Sequence, residues 1–144
     1  MEIKEREDDV CSYCNKRDTL KHYFISCRKL DQIWLFFSNW WDRVIQLGHI
    51  DHNDYEKIIT GVNTQTDSGK ATNLVVLLVK YYIFLEKCKE DKTKSTFCLL
   101  NLLKFIKHKL TLLCTKTKTV HTVNPVLELI LEKVKISLTE DTNK

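Results

Sequence analysis

Four residues near the start of the chain have the types and spacing of a metal site. Cys11, Cys14, His22 and Cys27 read as C-x2-C-x7-H-x4-C. Two cysteines that close together form a tight hairpin with both sulfurs on one side, and the return segment brings His22 and Cys27 back to them. Four soft or borderline ligands in so short a loop suit one tetrahedral Zn2+ ion. The plainer alternative is three buried thiols beside an unrelated histidine. With all four positions taken by protein, the zinc would be structural, with no place left for water or substrate.

Other chemistry finds little support. Cys88, Cys98 and Cys114 could join His108 or His121, but they come from separate helices without a short chelating pair, and buried free thiols account for them. His49 and His52 stand near Asp51 and Asp54 in a polar stretch that reads as a surface loop. Asp8 and Asp9 lack the strand-turn-strand setting that polymerase carboxylates need. There is no repeat, no glycine-rich phosphate loop and no nucleophile–base pattern. The expectation is a non-enzyme.

Charge points to a different kind of partner. Lys16, Arg17, Lys21, Arg28 and Lys29 lie in or beside the cysteine loop, opposed only by Asp18. Tyr13, Tyr23 and Phe24 are interleaved with them. Exposed aromatics can stack on single-stranded bases while the cations meet phosphates; equally, the rings can pack the loop onto the next helix. A division with Tyr13 outward and Phe24 inward satisfies both. Further on, ten lysines between Lys80 and Lys118 face three acids, Glu86, Glu90 and Asp91. Lys104, Lys107, Lys109, Lys116 and Lys118 form the densest part, as either a solvated helix face or a phosphate-contacting one.

The elements that must position these groups are helical. Three glycines and one proline in 144 residues disfavour a turn-rich β fold. Apolar residues recur at helical steps over Leu30–Leu47, with Gly48 as the stop. Leu74–Leu85 reads as a buried central helix with Lys80 at its edge, extended by flanking residues. Ser95 is placed to cap a third helix from Thr96 to about Leu113, followed by a basic loop, and Asn124-Pro125 opens a last one from Val126 to Leu138. The fold expected is all-α: a charged leader (1–10), a CCHC zinc knuckle (11–29) packed on a bundle of about four helices (30–138), and a free tail (139–144). No apolar run reaches the roughly 18 residues of a membrane span. The first nine residues carry five acids and two bases and do not resemble a signal peptide, so six cysteines suggest metal in a reducing, intracellular compartment, nuclear or cytoplasmic.

These motifs together resemble a known family. Cys11-x2-Cys14, then Asp18-Thr19-Leu20-Lys21-His22-Tyr23-Phe24, Cys27, and a helix opening on Ile33-Trp34, are similar to the zinc-binding C-terminal segment of non-LTR (LINE-type) retrotransposon reverse transcriptases. The likeness covers residues 11–40 and extends to 70–110, where Asn73-Leu74 and Lys80-Tyr81-Tyr82-Ile83 follow the same pattern. One departure is Arg28, where the family often places proline after the last cysteine; this alters a helix start and leaves the ligands intact. In such enzymes the polymerase and endonuclease lie upstream. The resemblance therefore implies a non-catalytic module that grips template RNA or target DNA, as a terminal fragment or as a host protein derived from one. The competing class is a zinc-stabilised module for a protein partner.

Overall fold

The computed structural model describes residues 10, 11, 13–15, 17, 19–48, 50, 58, 66–117 and 124–142. These are almost wholly helical. The one β feature among them is an isolated antiparallel bridge between Val10 and Arg17, which makes Val10 part of the knuckle and not of the leader. Four long helical segments form the bundle, and the knuckle packs on two of them.

The first segment begins immediately after Cys27. A tight 3-10 turn, Arg28–Leu30, runs into α1, Asp31–Trp40, and then into a wider π turn, Trp41–Ile45. Arg28 thus starts the helix without a proline. Leu30, Ile33, Trp34, Phe37, Trp41 and Ile45 form its buried face, as the three- and four-residue spacing requires. The stop differs from expectation. Gln46, with φ 59°, adopts the left-handed conformation and donates its N–H to the Trp41 carbonyl, so the helix closes two residues before Gly48. Lys133 donates to the Val44 and Ile45 carbonyls at 3.1 and 3.4 Å, meeting the acceptors that a helix C-terminus leaves open.

Helix α2, Asp67–Lys87, is capped by the Thr66 hydroxyl, which accepts from Gly69 N at 2.9 Å. Ala71, Val75, Val79 and Ile83 are fully buried. The helix is not enclosed on all sides, however: Leu77 is 55% exposed, and Tyr81 and Phe84 are exposed on the same side. Two of the other long helices and the knuckle turn pack on its remaining faces and leave this side to solvent.

Helix α3, Leu99–Thr117, starts later and ends later than the sequence suggested. Ser95 does not cap it; its hydroxyl donates to the Glu86 carbonyl at 2.7 Å and accepts from the Tyr13 hydroxyl at 2.8 Å. The first helical acceptor is Cys98, bonded by Leu102 N. At the far end Cys114 is buried and holds the helix on the core, so the expected loop at 115–117 continues as helix. Helix α4, Pro125–Thr142, opens as expected, with Val126 N donating to Asn124 Oδ1 at 2.9 Å. It runs on through most of the expected free tail.

Helices α3 and α4 pack closely side by side, α2 lies against both, and α1 crosses α3. Leu102, Ile106 and Leu110 of α3 meet Ile130 and Val134 of α4 in one core that also takes in Cys11 and Cys27. Each large side chain removed from water there contributes about 2–3 kcal/mol. Trp40 lies buried with its indole N–H on Ser137 Oγ at 2.9 Å, joining α1 to α4. No described helix is long and apolar enough to cross a membrane.

Candidate metal centre

The hairpin forms because the chain reverses at Asn15. Its φ of 61° is the left-handed conformation that asparagine tolerates, and its N–H closes the turn on the Cys11 carbonyl at 2.9 Å. The Tyr13 N–H points at Cys11 Sγ, 3.4 Å away. The return limb is set by Thr19, whose hydroxyl accepts from His22 N at 3.1 Å and caps the helical segment that opens at Leu20 and runs into the turn His22–Ser26. That turn is one residue wider than an α turn, and Cys27 N bonds the His22 carbonyl at 3.0 Å. His22 and Cys27 therefore occupy the two ends of one closed loop.

The ligand atoms of Cys11, Cys14, His22 and Cys27 all lie within 4.8 Å of one another. The Cys11–Cys27 and Cys14–Cys27 sulfur separations are 3.8 and 3.5 Å. A disulfide holds its sulfurs about 2.0 Å apart. A tetrahedral ion with metal–sulfur bonds of about 2.3 Å holds them near 3.8 Å by geometry. The spacing is that of ligands around one ion. His22 Nε2 is buried and has no hydrogen-bond partner in the protein, a costly state for a ring nitrogen and the one that an ion relieves. These four residues can hold a metal ion. A hollow of about 350 Å3 lined by Cys14, His22, Ser26, Arg28 and Asp31 reaches the site from one side. No other His, Cys, Asp and Glu grouping of this kind occurs among the described residues.

The thiols are unequal. Burial pushes Cys27 up to about 12, against the pull of backbone hydrogen bonding at Lys29 and of the nearby Lys87 charge. Burial also acts upward on Cys14, but hydrogen bonds from the Arg28 backbone and the other two thiols, with the Arg28 charge, bring it below the ordinary cysteine value. Arg28 thus favours the thiolate that a metal needs.

Lys87 is the residue that sequence reasoning missed. It ends α2, is only 6% exposed, and donates to the Tyr23 carbonyl at 2.7 Å. Its ammonium lies 4.4 Å from the Tyr23 ring centroid and 5.9 Å from that of Tyr13. Nothing in the local spacing marks it; a lone lysine closing an apolar helix reads as an ordinary C-terminal cation.

The tyrosines are therefore not free stacking platforms. Tyr13 sits edge-on to Phe97 with its hydroxyl on Ser95, which corrects the outward placement expected for it. Tyr23 is half-buried between Phe24 and Lys87. Phe24 packs against the core as expected, and its carbonyl accepts the Trp34 indole N–H at 2.7 Å.

Of the predicted basic residues, Arg17, Lys21, Arg28 and Lys29 are exposed on the knuckle, although Asp31 flanks Arg28. Lys104 and Lys107 are exposed and line a groove between α3 and α4. Lys109 turns away from them and leans on the Tyr81 and Phe105 rings at 5.6 and 5.5 Å. Lys16 and Lys118, the side chain of Lys116, and His49, His52 and His121 lie outside the described residues. Cys88 is exposed, Cys98 half-buried and Cys114 buried, and none of the three is in a disulfide. Compared with family models, with curated proteins and with solved structures, the chain matches none.

Proposed function

We propose that the chain is a non-catalytic, zinc-stabilised nucleic-acid-binding module, of the kind that its sequence resembles in the C-terminal segment of non-LTR retrotransposon reverse transcriptases. Zn2+ is the ion that suits three thiolates and one imidazole in a closed tetrahedral set. Cys11, Cys14, His22 and Cys27 would hold it, and it would supply no reaction, only the shape of the knuckle. The observation that carries the reading is the arrangement around that site: four converging ligand atoms beneath a loop whose Arg17, Lys21, Arg28 and Lys29 all face solvent. A metal-fixed loop holds those cations in place, where a free loop would let them disperse, and fixed cations suit phosphates. With Tyr13 and Tyr23 engaged by α2 and the segment before α3, contacts to the backbone of RNA or DNA outweigh stacking on its bases.

The test is binding of labelled RNA and DNA by the metal-loaded protein as salt is raised, with metal content measured by elemental analysis. About one zinc per chain and a micromolar affinity that falls steeply with salt support the reading. A folded, metal-loaded protein that binds no nucleic acid at low salt refutes it.

A second reading rests on α2. Leu77, Tyr81 and Phe84 make an exposed apolar stripe at helical spacing, the form of surface a protein partner covers. Leu77→Glu with Phe84→Glu would abolish such an association and leave nucleic-acid binding unchanged.

A further inference from the structure

The groove between α3 and α4 is bordered by two facing rows of side chains. Lys104, Lys107, His108 and Thr111 recur on α3 at intervals of three, one and three residues, which places them on one face. Lys135, Leu138 and Thr139 do the same on α4. The space between them is about 790 Å3.

We propose that this groove holds the backbone phosphates of a nucleic-acid strand and is blind to its bases. The inference rests on the nucleic-acid reading above and assigns the contact to a second surface, formed by α3 and α4. Three observations carry it. First, the lining is cationic from both sides. Lys104 and Lys107 are exposed, and Lys135 has one carboxylate near it, Glu132 at 3.4 Å, in a solvent-facing pair of neighbours on one helix. Such a pair is weak, so an incoming phosphate displaces it readily.

Second, no Phe, Tyr or Trp lines the groove, and its one ring is the His108 imidazole. Single-strand binders that hold bases do so on aromatic faces. Ammonium groups, a hydroxyl and an imidazole N–H offer donors to phosphate oxygens, and one small ring offers far less stacking area than the aromatic platforms of single-strand binders. Thr139 gives its hydroxyl proton to the Lys135 carbonyl, which leaves Thr111 as the hydroxyl donor.

Third, the length fits a strand better than a small anion. Seven residues of helix separate Lys104 from Thr111, about 10 Å along the axis. That is the axial rise of about three nucleotides on one strand. Lys109 and Lys133, by contrast, are engaged with rings and helix-end carbonyls, so the lysines of α3 and α4 divide by face into those packed on the protein and those that line the groove.

The experiment uses the full metal-loaded chain with fluorescent ten-nucleotide oligo-U and oligo-A RNA, titrated from about 50 to 200 mM KCl, the range over which counterion release is readily seen. Lys104→Gln/Lys135→Gln is compared with Arg28→Gln/Lys29→Gln. The groove variant is expected to weaken both RNAs equally and to lower the log–log salt slope by about 1.4, about 0.7 per cation removed from a single strand. Its zinc content and melting temperature stay those of the parent. An unchanged slope in the groove variant, with loss only in the knuckle variant, overturns the groove assignment and leaves the wider reading standing. Unequal loss between oligo-U and oligo-A overturns base-blindness. Tight binding of inorganic phosphate with no competition by RNA overturns the strand as ligand. A parent protein that binds neither RNA overturns both proposals.

Discussion

The Lys87 ammonium donates to the Tyr23 carbonyl at 2.7 Å, from the last turn of α2 to the middle of the knuckle's helical turn. This ties the metal loop to the longest helix of the bundle by a charged hydrogen bond inside a buried setting. The same charge acts on Cys27, favouring its thiolate. With a divalent ion bound, three thiolates and one neutral imidazole would leave one net negative charge, which a lysine held nearby would offset.

Lys87→Met keeps the stem and removes the charge. It leaves the Tyr23 carbonyl without its donor, and is expected to cost about 2 kcal/mol of stability. A metal ion bound at the four ligands should also pass to a chromophoric chelator faster than it does from the parent. Equal release rates would show that Lys87 fastens the knuckle without influencing the metal.

Removal of the metal should melt the front of the chain and spare the back. Leu102, Ile106, Leu110, Ile130 and Val134 pack helix on helix without the knuckle, while an ion held by Cys11, Cys14, His22 and Cys27 would be what draws the hairpin and the His22–Ser26 turn together. Chelation, or Cys27→Ser, should therefore lower the melting temperature and make residues 11–27 exchange amide protons quickly, with far-UV circular dichroism little changed. Global loss of helix would place the metal at the centre of the whole fold.

Metal affinity should also fall as pH falls. Cysteine ligates as the thiolate, and burial pushes the metal-free Cys27 thiol up to about 12, so binding releases protons from the cysteine ligands and acid opposes it. A competitive chelator titration from pH 6 to 8 should show affinity rising by more than tenfold per unit, a steepness that one displaced proton cannot produce.

Alkaline stability should depend on Tyr82. It is 4% exposed, its hydroxyl donates to the Thr96 carbonyl, and burial raises its pKa above the ordinary value of 10. Above pH 10 the unfolded chain loses this proton and the folded one keeps it. The stabilisation is complete below pH 10 and is lost progressively as pH climbs toward the folded value. Tyr82→Phe should flatten the decline between pH 10 and 11.5 in urea denaturation.

Ser137→Ala would leave the buried Trp40 indole N–H unpaired, at about 1–2 kcal/mol. Trp40→Phe in the same background should recover part of that loss, because it removes the unsatisfied donor. A denaturation midpoint that drops further in the double variant would assign Trp40 a packing role that outweighs its hydrogen bond.

The ligand set and the helices were legible for local reasons. Cys11, Cys14, His22 and Cys27 sit close in the chain, so chain geometry alone brings them near, and the faces of α1 and α4 follow from three- and four-residue spacing. The cap that a neighbour in sequence makes at Asn124 was readable on the same grounds. What the tertiary structure decided are contacts between residues far apart in sequence. Ser95 has the type of a cap, but Tyr13, 82 positions earlier, and the Glu86 carbonyl engage its hydroxyl. Tyr13 turned inward for the same reason, Trp40 found Ser137, and Lys87 found Tyr23. Spacing reports which side of a helix is apolar; it carries no information on which distant hydroxyl or carbonyl will stand opposite a polar tip once the helices pack.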